Sequence, residues 1–127
     1  MGVRVLAVDD NPDSLVIVRG LLEPKGYEVE EATSGPQALA MIHEKRPDVV
    51  LLDVMMPEMS GFEVLRKIKE DPTTMTLPVI LVTAKTADED VVQGYQYGAD
   101  YYITKPFTAH QLLYGIELVL GRESGRG

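Results

Sequence analysis

Short apolar runs alternate with longer amphipathic stretches from one end of the chain to the other, the rhythm of repeated βα units. The runs are Val3–Val8, Tyr27–Ala32, Val49–Leu52, Val79–Val82 and Tyr101–Ile103. Val49–Leu52 and Val79–Val82 are apolar at every position, as strands covered on both faces must be, whereas a half-exposed antiparallel strand would alternate. The pattern therefore predicts an α/β domain: five parallel strands, each followed by a helix, with helices on both faces. Helix starts are marked by hydroxyl residues with a side-chain partner three positions on, the capping-box pattern. Four such pairs occur, Ser34/Gln37, Ser60/Glu63, Thr86/Glu89 and Thr108/Gln111, and Asn11-Pro12 supplies a cap followed by a proline suited to the first helical position. Leu15/Val18/Leu22, Leu39/Ile42, Phe62/Leu65/Ile68 and Leu112/Ile116/Val119/Leu120 fall at helical spacing and are core candidates.

The chain has 127 residues, the size of one compact domain able to bury a core without covalent staples. It has no Cys, which excludes thiolate catalysis, cysteine zinc sites and iron–sulfur ligation, and agrees with a cytoplasmic setting. Twelve Lys and Arg against 20 Asp and Glu give a net charge of −8, which argues against direct nucleic-acid binding and against anionic membranes. The first apolar run ends at Asp9-Asp10, too soon for a signal sequence or a membrane span, and Leu6 stands where a myristoylation signal needs Ser or Thr. The domain is assigned to residues 1–120. Residues 121–127 are small and polar, a frayed tail or the start of a linker.

Candidate chemistry follows from the topology. All strands of a parallel sheet point one way, so residues just past their C-terminal ends share one edge. Those positions hold Asp9 and Asp10 after the first strand, Asp53 after the third, Thr83 at the fourth and Lys105 after the fifth. The second strand ends in Ala32-Thr33-Ser34, offers nothing comparable and suits the sheet margin. Two carboxylates about 4 Å apart repel by roughly 4 kcal/mol at an effective dielectric of 20, so such a cluster must take up a cation or a proton. All-oxygen ligation with few protein ligands suits Mg²⁺, and Mn²⁺ is able to substitute. Lys105 and the Thr83 hydroxyl then face the oxygens of a phosphoryl group. Asp53, alone at the end of the most apolar strand, is the candidate nucleophile, which would give an aspartyl phosphate.

In this order, Val8-Asp9-Asp10-Asn11, Leu51-Leu52-Asp53-Val54-Met55-Met56-Pro57, Val82-Thr83-Ala84 and Tyr101-Tyr102-Ile103-Thr104-Lys105-Pro106-Phe107 resemble the receiver domain of bacterial two-component response regulators of the chemotaxis type. The resemblance covers residues 3 to 120. It implies the flavodoxin-like strand order 2-1-3-4-5 with five flanking helices. It further implies phosphorylation of Asp53 by a histidine kinase or histidine phosphotransfer protein, with Mg²⁺ held by Asp9, Asp10, Asp53 and the Met55 carbonyl. Thr83 and Lys105 would grip the phosphoryl oxygens, Thr83 and Tyr102 would act as the switch, and Lys105-Pro106 would be cis. The output would be a changed face of the fourth helix, fifth strand and fifth helix towards a downstream protein, with homodimerisation on phosphorylation left open. A receiver is a signalling domain, with only self-phosphorylation from a phosphodonor and slow autodephosphorylation expected of it.

Two other functions fit a parallel sheet with acidic loops. A Mg²⁺-dependent phosphohydrolase with an aspartate nucleophile would want a second acid two residues beyond it, where this chain has Met55. A flavodoxin-like FMN module would want hydroxyls after the first strand, where Asp9 and Asp10 would repel the phosphate. His43 and His110 lack ligand-spaced partners and are expected on the surface. Met55, Met56 and Met59 suit either gap filling near the core or an adaptable partner surface. Of Tyr101 and Tyr102, one is expected to pack inward and the other outward.

Overall fold

A computed structural model describes residues 2–85 and 87–123. Five parallel strands form one sheet in the order β2-β1-β3-β4-β5. They are β1 (Arg4–Val8), β2 (Glu28–Ala32), β3 (Val49–Leu52), β4 (Val79–Thr83) and β5 (Tyr101–Thr104). The helices are α1 (Pro12–Leu22), α2 (Gly35–Glu44), α3 (Gly61–Glu70), α4 (Asp88–Gln96) and α5 (Ala109–Glu123). The fully apolar runs are the inner strands, buried at every position, and β2 lies at the margin, as the pattern predicts. No helix among the described residues is long and apolar enough to cross a membrane.

Strand alternation divides the core into two layers. Leu6, Val8, Val50, Leu52, Val79 and Leu81 face α2 and α3, meeting Ala38, Ile42, Val64, Leu65 and Ile68. Val5, Ala7, Val49, Leu51, Ile80 and Val82 face the other way, towards Leu15, Val18 and Leu22 of α1 and Leu112, Ile116 and Val119 of α5. Tyr101 and Tyr102 depart from the expected inward–outward pair. Both are half-buried, one against each layer, because helices cover both faces of β5. Met56 is buried and Met59 packs on the first layer, whereas Met55 is exposed.

Cap chemistry explains most helix starts. Asn11 caps α1 by accepting from the Asp13 N–H, with Pro12 in the first turn. Ser60 and Glu63 form a reciprocal capping box, as do Thr108 and Gln111. At α2, Ser34 caps the Gln37 N–H, but the Gln37 side chain accepts from the N–H and hydroxyl of Thr33, which offers two donors where Ser34 would offer one. The cap of α4 is Ala87, with no side-chain bond, and the start is supported instead by Asp88, Glu89 and Asp90 against the helix dipole. The Thr86 of the expected box lies outside the described residues. The last helix runs through Glu123, three residues past the expected boundary at 120. One Gly in a helix costs only about 1 kcal/mol, so Gly121 does not stop a helix held by Leu112, Ile116 and Val119. Residues 124–127 of the expected tail lie outside the described residues.

Candidate functional site

Ladder hydrogen bonds continue one residue beyond the strands and pin the chemical groups to the sheet edge. The Asp9 N–H donates to Ala32 O, the Asp53 N–H to Val8 O and the Lys105 N–H to Thr83 O. Each of these three residues is thus held by the neighbouring strand, so their side chains converge although 96 positions separate the first from the last. Lys105 Nζ donates to Asp9 Oδ2 at 2.6 Å and to Asp53 Oδ2 at 2.9 Å. The two carboxylate oxygens are therefore no farther apart than the sum of those distances. Asp9 is 6% exposed and Asp53 7%, and Thr83 is completely buried.

The outer carboxylate oxygens are oriented by backbone. Asp9 Oδ1 accepts from the Asn11 N–H and Asp53 Oδ1 from the Met55 N–H, both at 2.9 Å. These bonds satisfy one oxygen of each acid and leave the other directed at the shared ammonium. Gly61 makes this arrangement possible: a Cβ there would stand 2.2 Å from Asp53 O and 2.7 Å from Val54 Cα, so only glycine lets α3 start beneath the end of β3. Within the intervening loop Glu58 adopts φ 67°, closing the turn through Pro57 to Ser60.

Other expected residues take distinct places. Asp10 is exposed at the rim, and among the described residues no trio of acidic or imidazole side chains converges as a ready-made cage. Asp9, Asp10 and Asp53 set against Lys105 still leave an excess of negative charge on oxygen donors alone. That donor chemistry fits a hard divalent cation. Thr83 Oγ1 accepts from the Lys85 N–H at 3.4 Å, and Tyr102 Oη donates to Lys85 O at 2.8 Å. One residue of the β4–α4 loop therefore links the buried hydroxyl to the aromatic ring on β5. The Lys105–Pro106 peptide is cis. His110 is exposed, and His43 is an exposed residue 3.6 Å from Asp71.

Two contributors escape sequence reasoning. Ser14 accepts from Lys105 Nζ at 3.3 Å, and a hydroxyl in the first turn of α1 gives no sign of that role. The Lys85 backbone acts through groups that every residue has, so no side-chain pattern marks it.

Burial works against the Lys105 ammonium, but its hydrogen bonds to Asp9 and Asp53 and their charges outweigh it and hold its pKa above the ordinary 10.5. Tyr102 is pushed above the ordinary 10.0, first by burial and then by the charges of Asp90 and Asp53. Both groups bind their proton more tightly when folded. Their contribution is therefore complete below the unfolded values and is lost as pH climbs through the folded ones. Urea midpoints should stay level up to about pH 10 and fall above it. Rising midpoints in that range would contradict this account of the cluster.

Comparison with known proteins places this geometry. The family model of the response regulator receiver domain matches residues 5–117. The chain is 41% identical over 127 residues to the phosphate regulon transcriptional regulatory protein PhoB of Pseudomonas aeruginosa, covering all of this chain and 55% of that protein. It is 39% identical over 117 residues to Protein PilH of the same organism, covering 92% of this chain and 97% of PilH. A solved receiver domain protein from Methanospirillum hungatei superposes with a TM-score of 0.91 at 33% identity, covering 100% of both chains. This chain thus spans about half the length of the first relative and nearly all of the second. With Asp9, Asp53 and Lys105 joined at the sheet edge and the family model covering most of its length, the chain belongs to the receiver domains of two-component response regulators.

Proposed function

We propose that this chain is a phosphoacceptor switch in which Asp53 accepts a phosphoryl group, with Mg²⁺, from a histidine kinase or histidine phosphotransfer protein. The observation that carries the proposal is the shared ammonium, Lys105 Nζ, bonded to both Asp9 and Asp53 at the end of β3. An Asp53 carboxylate oxygen attacks phosphorus, and Lys105 stabilises charge on the transferred group. Asp9, Asp10, Asp53 and the Met55 carbonyl are the groups that would hold Mg²⁺, which supplies charge neutralisation for the phosphoryl oxygens when bound. Mn²⁺ would serve in its place.

Phosphorylation replaces the single carboxylate charge at Asp53 by roughly two negative charges carried on three phosphoryl oxygens. Thr83 and Tyr102 are the residues placed to respond, because both bond to the Lys85 backbone. A hydroxyl drawn towards the phosphoryl group releases the Lys85 N–H, and the loop carrying the Tyr102 acceptor moves with it. The readout would be the face of α4, β5 and α5, where Val92, Tyr95 and Tyr114 are exposed and a cleft of about 310 Å³ lies along Thr104, His110 and Gln111. A downstream protein, or a second copy of the chain after phosphorylation, would bind there.

Incubation with phosphoramidate and Mg²⁺ should add one phosphoryl mass to the protein, and Asp53→Asn should abolish the addition. Equal labelling of the variant would remove Asp53 from the role. The phosphohydrolase alternative requires sustained turnover of phosphate monoesters, for which Met55 supplies no general acid.

A further inference from the structure

Lys105 Nζ meets three oxygens: Asp9 Oδ2 at 2.6 Å, Asp53 Oδ2 at 2.9 Å and Ser14 Oγ at 3.3 Å. An ammonium carries three N–H donors, so each of them has an acceptor. Two of these acceptors change when the site works, since Asp9 is among the groups that would hold Mg²⁺ and Asp53 becomes the acyl phosphate. The Ser14 hydroxyl is the neutral acceptor, and neither event alters its charge. Its position is set by α1. The Ser14 N–H donates to Asn11 O at 3.1 Å, the Asn11 N–H donates to Asp9 Oδ1 at 2.9 Å, and the neighbouring Leu15 is buried in the layer with Ala7 and Leu51. Lys105 itself has a long, flexible stem, and a head without a fixed acceptor would sample many positions.

We infer that Ser14 is a positioning residue for phosphoryl transfer: its hydroxyl anchors the Lys105 ammonium beside phosphorus while the two acids are otherwise engaged. This rests on the phosphoacceptor reading of Asp53. In the forward step an Asp53 oxygen forms a bond to phosphorus as the phosphorus–nitrogen bond of phosphoramidate breaks. The nitrogen, already protonated, leaves as ammonia with the electron pair. In hydrolysis a water oxygen bonds to phosphorus and the bond from phosphorus to the Asp53 oxygen breaks. The carboxylate leaves with the electron pair, and both water protons end on the released phosphate. Each step gathers charge on the same phosphoryl oxygens, where an ammonium stabilises it only when held within reach. Loss of the anchor therefore slows formation and hydrolysis of the acyl phosphate alike.

The test follows the intact mass of the full chain with Mg²⁺, first on adding phosphoramidate and then after its removal. Ser14→Ala should slow labelling by about fivefold, the worth of one ordinary hydrogen bond, and should slow loss of the phosphoryl group as well. Ser14→Thr keeps the hydroxyl and should restore most of both rates. Alanine is a good helix former and position 14 lies in the first turn of α1, so the urea midpoint should not fall. The direction of the hydrolysis effect separates positioning from structural damage. A loosened site admits water and loses its phosphoryl group faster, whereas a displaced ammonium makes the loss slower. Parental rates in Ser14→Ala, faster hydrolysis in that variant, or a Ser14→Thr as slow as Ser14→Ala would each overturn the inference and leave the phosphoacceptor reading intact. A parent chain that gains no phosphoryl mass would overturn the reading itself, and the inference with it.

Discussion

Lys105→Met should lower stability at pH 7 by about 2–3 kcal/mol, although it replaces one long flexible side chain by another. Removing one member of a buried ion pair typically costs about 3–5 kcal/mol because its partner is left uncompensated. Here the Lys105 side chain is 24% exposed, so solvent softens the effect, but it compensates two acids, each less than 10% exposed at the side chain. Without the ammonium, Asp9 and Asp53 face each other across a poorly solvated gap with no positive charge between them. Millimolar Mg²⁺ should recover part of the loss at pH 7. Urea denaturation at pH 7, with and without Mg²⁺, reads both effects. A variant as stable as the parent at pH 7 would show that the shared ammonium does not hold the cluster together.

Gly61→Ala should be at least as severe, at about 3 kcal/mol or more, for a purely steric reason. The nearest atoms to the added Cβ are Asp53 O at 2.2 Å, Val54 Cα at 2.7 Å and Asp53 C at 2.8 Å, all of them backbone. A side chain could rotate away, but these atoms belong to the end of β3 and are tied by the Gly61 N–H to Val54 O bond and the Asp53 N–H to Val8 O bond. Overpacking in a core costs about 1–3 kcal/mol where side chains yield, and more where backbone must move. The displaced segment carries Asp53, so phosphorylation should slow along with the loss of stability. Gly20→Ala is the matched control. Gly20 lies inside α1 with nothing within 4 Å of an added Cβ, and that substitution should stabilise the domain by roughly 0.5–1 kcal/mol. Thermal or urea midpoints of the pair should move in opposite directions. Equal shifts would show that the backbone at the end of β3 does not exclude a Cβ at position 61.

The residues differ sharply in how far the sequence exposes them. Val49–Leu52 and Val79–Val82 are unambiguous because double-sided burial demands apolar residues without interruption, and no surface strand has that demand. Asp9, Asp53, Thr83 and Lys105 are legible for the same reason: polar groups that interrupt or end such runs stand out, and parallel topology brings strand ends to one edge. Asp10 shares the acid pair with Asp9 yet lies exposed, since adjacent positions at the end of a strand point different ways. Helix ends are less legible, because propensity and capping contribute about 1 kcal/mol each and packing easily outweighs them. Hence α5 continues past Gly121, and α4 starts at an alanine cap with three acids in its first turn. The Ser14 hydroxyl and the Lys85 backbone stay hidden because their roles depend on where Lys105 and Tyr102 come to rest after folding.

Phosphorylation as proposed places an acyl phosphate on Asp53 and on no other residue. Borohydride reduction of the phosphoramidate-treated protein tests it most directly, because an aspartyl phosphate is reduced to homoserine while a free carboxylate and a phosphorylated hydroxyl are not. Peptide mapping should find homoserine at position 53 alone, in an amount matching the phosphoryl mass gained. Homoserine at Asp9 or Asp10, or full phosphoryl gain with aspartate intact at 53, would contradict it.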